Sequence, residues 1–541
     1  MVTEAVWMQD IDPFGNPWLS ALVAVIPIAV FLVCLTALKM KGILAAGIAV
    51  VAEIIVALIA FGMPATAVAG SGLLGILTAI WPIAYIIVMA VWLYRLAVAS
   101  GRFDVIRASI SGISPDQRIQ VLLISFAFGA FLEGAAGFGV PIAICAALLV
   151  QLGFKPVKAA MLSLVANVAA GAYGAIGIPV IVGAQVAGVE VLEMSRTMML
   201  LLQPLTFLVP FLLVVILDGW RGLRETWPAT LLVSVVFSGV QASVLWFLGP
   251  ELADLGSGLA AMLALFAFGR VWQPKRIFRE SGEAAPAGER HSVREIAVAW
   301  SPFYILTALI LVWSIPAFKQ LFSADGPLAA AVVKFPIPGL TGQVALPSGD
   351  PVASTWDFAP ISATGTAILL AVIVSFLTTP SLKAADLWHE LVATLRELWQ
   401  ALVLIALILV LANIANSSGG SASIGSALAA VGPVFPLLAP IIGWLGVFLT
   451  GSVVNNNTLF GPLQVATAGR IGVSPELLVA ANTAGGTTAK VISPQSIAIA
   501  AGAVGLSGRE GEILRTSIGY SLGMLAVVCL WSFTLSVLLP G

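Results

Sequence analysis

Charge is thin in this 541-residue chain, and histidine and cysteine are nearly absent: 9% of residues are charged, 60% are hydrophobic, and there are two His and three Cys. A soluble chain of this length needs a charged surface, so the composition excludes one. Apolar runs of about 20 residues instead recur along the sequence, which specifies an all-α polytopic membrane protein with the lipid bilayer as its solvent. The net charge of −1 and the lack of any concentrated basic surface exclude nucleic acid as a partner. Cys34, Cys145 and Cys529 all fall in apolar stretches and supply neither a disulfide framework nor a metal site. His291 and His389 fall in loops. With no His/Asp, Cys/His or metal-ligand cluster inside the spans, the chain does not read as an enzyme and calls for no cofactor. Its first residues, "MVTEAVWMQDIDPFGNPW", have no basic n-region and do not read as a cleaved signal.

What charge there is comes in a telling order, because Lys and Arg mark cytoplasmic gaps. Glu4, Asp10 and Asp12 precede the first span (18–38) and place the N-terminus outside, whereas Lys39 and Lys41 follow it inside. Spans at 43–62 and 69–99 lead to Arg102, Arg107 and Arg118. An interrupted span (157–190) rises to Glu190 and Glu193, and 197–217 returns to Arg221 and Arg224. Spans 228–248 and 252–269 end at the most basic loop, Arg270 to Arg294. The second half rises through 297–315 into an outside loop, 316–360, descends through 361–379, and rises again through 397–414. An interrupted span at 476–506 and a last span out complete a count of twelve, with both termini extracytoplasmic.

Two segments do not fit as crossings. Ile119 to Phe154 is flanked by Arg118 on one side and by Lys155 and Lys158 on the other, so both ends belong inside. It is too short for two crossings, and "FLEGAAGFGVP" interrupts it with three glycines and a proline. The segment reads as a re-entrant helical hairpin over 119–154, turning at the glycines, with Pro141 starting the return arm. A second hairpin, 434–473, enters from the outside.

The halves also look alike. "LYRLAVASG" (93–101) lies over "LANIANSSG" (411–419), "FGAFLEG" (128–134) over "LGVFLTG" (445–451), and "ANVAAGAYGAIGIP" (166–179) over "ANTAGGTTAKVISP" (481–494). The order of these matches and the opposite entry of the two hairpins predict two inverted-topology repeats, 1–220 and 296–541, joined by two linking helices and the basic loop at 221–295. That is the architecture of secondary transporters, whose broken helices meet near the bilayer midplane.

Ionisable groups deep in apolar segments are few, and such groups default to function. Glu133 ends the first arm of a hairpin and is a candidate proton carrier; the alternative is a structural acid accepting from the glycine turn. Lys490, in the break of the second interrupted span, can meet an anionic solute or neutralise freed carbonyls. Glu53 reads as a helix-interface acid. A solute carboxylate is expected between the two hairpin tips and the two breaks, with Lys490, Ser452, Asn455, Asn457, Asn482, Thr487, Gly137, Gly139, Gln495 and Ser496 as candidate binding residues. Capping of broken helix ends is the competing role for the hydroxyls and amides.

The stretches "FGAFLEGAAGFG", "LLVQLGFKP", "GWLGVFLTGS", "LLVAAN" and "ISPQSIAIAAGAVGL" resemble the L-lactate permease family across nearly the whole chain. The resemblance implies proton-coupled uptake of L-lactate, glycolate or similar 2-hydroxymonocarboxylates across a bacterial inner membrane, and leaves room for a homodimer. This chain departs from the family pattern Ser-Asp-Thr-Ser-Ser-Asn in the second hairpin, where Ser452, Val453, Val454, Asn455, Asn456 and Asn457 stand, without the acid. Sodium-coupled or exchange transport of a related organic anion is the alternative. A proton-translocating respiratory subunit would be expected to thread several buried Lys and His along its length.

Overall fold

The computed structural model describes residues 6–539 apart from 112, 281–290, 350 and 353, and is mostly helical. The central part of the basic loop Arg270 to Arg294 therefore lies outside the described residues. Helices dominate because, in lipid, each apolar segment must satisfy its own backbone hydrogen bonds. Among the described residues, eight helices are long and apolar enough to cross a bilayer, or ten if each of two bent pairs counts as one crossing. Length alone thus does not return the twelve crossings expected. Val191–Phe247 carries two of the expected spans in one run broken at Asp218 and Gly219, while Ala253–Phe268 and Thr364–Leu377 are only 16 and 14 residues long.

Each stretch expected as a hairpin is a pair of helices joined at a glycine-bearing turn. In the first, Gln117–Ala135 and Val140–Gln151 are joined by a tip in which Gly137, Phe138 and Gly139 all take positive φ. Its two ends meet, the Gln117 side chain donating to the Leu152 carbonyl at 3.2 Å. The second pairs Phe435–Thr450 with Val453–Ile471, turning at Gly451, whose φ of 69° is open to glycine at little cost. Its first arm packs on Pro475–Lys490 so closely that a Cβ on Gly443 would collide with the Asn482 backbone, the small-residue packing that lets membrane helices approach.

Both interrupted spans are interrupted. Pro156–Ala169 and Gly174–Ala187 are bent by 46°, with Ala175, Ile176 and Gly177 left-handed before Pro179. Pro475–Lys490 ends at Val491, and Pro494–Ala503 starts afresh under the Ser493 cap. The single span expected at 69–99 is also broken, at Trp81, whose extended backbone (φ −134°, ψ 122°) precedes Pro82.

The segments expected inside gather at one end of the bundle. Fully buried Arg118 pairs with Asp116 (2.7 Å), Asp218 (3.0 Å) and Glu225 (2.7 Å), and donates to the Arg276 carbonyl. Nearby, Lys158 meets Glu280 at 2.9 Å, Arg107 reaches Gln151, and Arg95 bonds Glu390 and Glu397. At the other end, Trp7–Met8 pairs in parallel with Val344–Ala345 of the 316–360 loop, and Gln9 donates to the Asn416 and Ser417 carbonyls. The 316–360 loop also holds an antiparallel pair, Val333–Pro336 with Thr355–Phe358.

Candidate functional site

A cavity of roughly 1150 Å³ opens beside Lys39, Lys41, Glu397 and Gln400 and runs inward to Glu133 and Lys490. Its inner wall is built from chain breaks. The starts of four helices line it, at Gly139, Pro179, Ser452 and Pro494. Because a helix N-terminus presents unpaired N–H groups and partial positive charge, four of them make a site suited to an anion.

At the inner end Lys490 Nζ lies 2.8 Å from Glu133 Oε1, while Asn167 Nδ2 donates to Glu133 Oε2 at 2.8 Å. The side chains are 10% and 2% exposed, so water screens the pair little. The first interrupted span makes room for it with glycines. A Cβ on Gly171 would come within 3.2 Å of Lys490 Cδ, and one on Gly174 within 2.5 Å of Glu133 Oε1. Three broken elements from both halves of the chain thus converge on one ion pair.

Of the residues expected to hold solute, Lys490, Gly137, Gly139, Ser452, Asn455, Gln495 and Ser496 line this cavity together with Glu133. Ser452 caps the return arm of the second hairpin by accepting from the Asn455 amide, and the buried Asn455 side-chain oxygen has no partner among the described residues. Ser496 shares a 2.9 Å hydroxyl contact with Ser493. Asn457, Asn482 and Thr487 are not part of the lining. Asn457 donates to the Pro179 carbonyl at 2.9 Å and accepts from Asn482 and Thr483, a network that ties the second hairpin to both interrupted spans. Thr487 turns its hydroxyl onto the Ala484 carbonyl of its own helix. Val453 and Val454 also line the cavity. Glu53 is 2% exposed and stands apart from the lining.

Sequence reasoning missed Asp254 and Gln241. Asp254 is fully buried behind Glu133, where Gly134 packs on it, but it stands in the first turn of a short apolar helix, at the very end of the expected 252–269 span. Its only sequence signal is an acid followed at once by an apolar run.

Broken helices around a cavity that ends at a buried ion pair define a multi-pass membrane transporter. The profile of the L-lactate permease family matches residues 20–539. The chain is 47% identical over 534 residues to an L-lactate permease of Halalkalibacterium halodurans, covering 98% of this chain and 99% of that one. It is 44% identical over 534 residues to the L-lactate permease of Escherichia coli K12, covering 97% of each, and 44% identical over 543 residues to a glycolate permease of the same organism, covering 96% of each. The chain belongs to the L-lactate permease family; it is a permease and not an enzyme.

Proposed function

We propose that this chain takes up small 2-hydroxymonocarboxylates, L-lactate or glycolate, across a bacterial inner membrane in symport with protons. Relatives named for L-lactate and for glycolate share a solute with one carboxylate and an adjacent hydroxyl, and the cavity offers a partner for each. Lys490 and the four helix starts suit the carboxylate, and Ser452, Asn455, Gln495 and Ser496 suit the hydroxyl.

The Glu133–Lys490 pair carries the coupling argument. Without solute, the acid and the lysine neutralise one another. When a solute carboxylate takes Lys490, Glu133 loses its cation, and an uncompensated buried charge costs several kcal/mol. A proton on Glu133 removes that charge, so anion and proton bind together and the loaded site stays neutral. Either one alone leaves a buried charge unmatched. Val453 and Val454 keep the wall beside this site apolar, which favours monocarboxylates over dicarboxylates.

Two inverted-topology repeats, 1–220 and 296–541, with twelve crossings and the hairpins 119–154 and 434–473, complete the reading. The cavity mouth lies at the end that the basic gaps assign to the cytoplasm, which makes this the inward-open state. The test is Glu133→Gln in proteoliposomes. Accumulation of labelled L-lactate driven by a pH gradient is expected to vanish while lactate–lactate exchange remains detectable, since the amide keeps the shape and loses the titration. Wild-type accumulation by Glu133→Gln would refute the coupling role.

A further inference from the structure

Behind Glu133, on the side away from the cavity mouth, lies a second set of acids. Asp254 is fully buried in the first turn of Ala253–Phe268. Gly134, the residue after Glu133, packs against it so closely that a Cβ there would come within 2.8 Å of the Asp254 Cβ. Gln241 donates to Asp254 Oδ1 at 3.2 Å and to the Ala169 carbonyl at 3.3 Å, tying the acid to the break of the first interrupted span. Asp254 Oδ2 has no hydrogen-bond partner among the described residues. Three residues upstream, Glu251 is 7% exposed and its Oε2 is likewise unpartnered. Two more buried polar atoms without partners, Asn167 Oδ1 and Tyr173 Oη, belong to the same break, and Asn167 already holds Glu133 through its amide nitrogen.

The groups facing Asp254 are Glu133 on the first hairpin, Lys490 on the second interrupted span, Tyr173 at the break and Gln241 on the preceding helix; Lys319 is the cation nearest in effect to Glu251. The preceding helix places these acids. It runs from Glu225, in the Arg118 cluster, to Phe247, so residues 249–254 stand at the end of the bundle opposite that cluster. Buried carboxyls with unmatched oxygens at membrane depth are costly and mark proton relays.

We propose that Glu251 and Asp254 form a proton path that reaches Glu133 from the face opposite the cavity mouth, the face from which uptake draws both proton and solute, so that the proton has its own route to the Glu133–Lys490 pair. This rests on the symport reading above. In the transfer step the O–H bond of the Asp254 acid breaks as one forms on the Glu133 carboxylate. Asp254 then regains a proton from Glu251, and Glu251 from water at that face; one proton moves and nothing is oxidised. Transfer is conditional, because in the solute-free site Lys490 and Asn167 hold Glu133. An anion on Lys490 releases it to accept the proton.

The test uses the purified full chain in vesicles with a trapped pH-sensitive dye and labelled L-lactate. Asp254→Asn keeps the shape and the Gln241 contact and removes the titrating oxygen. Accumulation driven by a pH gradient, and the proton influx with it, should fall about tenfold or more while lactate exchange at equal pH stays within about twofold of wild type. Glu251→Gln, which lies outside the tight Gly134 contact, should show the same split and decides the matter if Asp254→Asn does not fold. Equal loss of exchange and accumulation, or loss of neither, overturns the path. Should Glu133→Gln accumulate like wild type, the symport reading itself fails. Should Glu133→Gln lose accumulation while Asp254→Asn and Glu251→Gln keep it, the path alone is refuted.

Discussion

Lys490→Met tests the ion pair at the end of the cavity most directly, because the methionine fills similar space without the charge. The pair is 2.8 Å long and its members are 10% and 2% exposed, so the partner left behind has little access to water. Removing one member of such a pair costs about 3–5 kcal/mol. Glu133 keeps its bond from Asn167, which places the expected loss toward the lower figure. The double variant Lys490→Met/Glu133→Gln leaves neither charge and should recover most of that stability. Affinity should behave differently. A hydrogen bond to a charged group contributes about 1.5–3 kcal/mol, so loss of the lysine should weaken L-lactate binding by roughly ten- to 150-fold. The double variant should stay as weak as the single one. Thermal unfolding of wild type, both single variants and the double variant in one detergent at one scan rate reads the first effect, and calorimetric titration with L-lactate reads the second. A double variant no more stable than Lys490→Met would show that the two groups are not an energetic unit. Unchanged lactate affinity in Lys490→Met would take the lysine out of the binding site.

Three shorter predictions concern the scaffold. Gly443→Ala forces a Cβ into the Asn482 backbone and should destabilise the protein by about 1–3 kcal/mol or more, read as a lower unfolding temperature; wild-type stability would mean that the second hairpin and the interrupted span are not in contact there. Asn457→Ala removes bonds to Pro179, Asn482 and Thr483 and should cost about 1–3 kcal/mol of stability, whereas Ser452→Ala, at the cavity wall, should weaken lactate binding more than it affects unfolding. Finally, a cysteine replacing exposed Lys275 should react with an impermeant thiol reagent only from the cytoplasmic side and one replacing exposed Ser323 only from the outside; the reverse pattern would invert the topology.

Several of the chain breaks were legible in the sequence, because a helix in lipid can be interrupted only by local chemistry that the sequence displays. Gly137 and Gly139 permit the turn of the first hairpin, Gly451 that of the second, and Pro179 and Pro494 stand where the interrupted spans resume. The basic gaps were equally legible, and Arg118, Lys158 and Arg276 do gather at one end. The break at Trp81 was not, since Pro82 sits in an otherwise continuous apolar run and a proline there can kink a helix without parting it.

Partnership was decided only by the tertiary structure. Lys490 and Glu133 are 357 residues apart, and nothing local to either names the other. Asn455 faces the cavity while Asn457, two residues on along the same helix, is committed to the backbone of Pro179. In sequence they are equal candidates, since residues two apart on a helix point in different directions and only packing tells which direction is the cavity. Asp254 is one acid at the end of an expected span until Gly134 is seen to rest on it. Apolar helices in lipid gain little by choosing one neighbour over another on hydrophobicity alone. Close packing at small residues and a few buried hydrogen bonds make that choice, and they exist only once the helices have met.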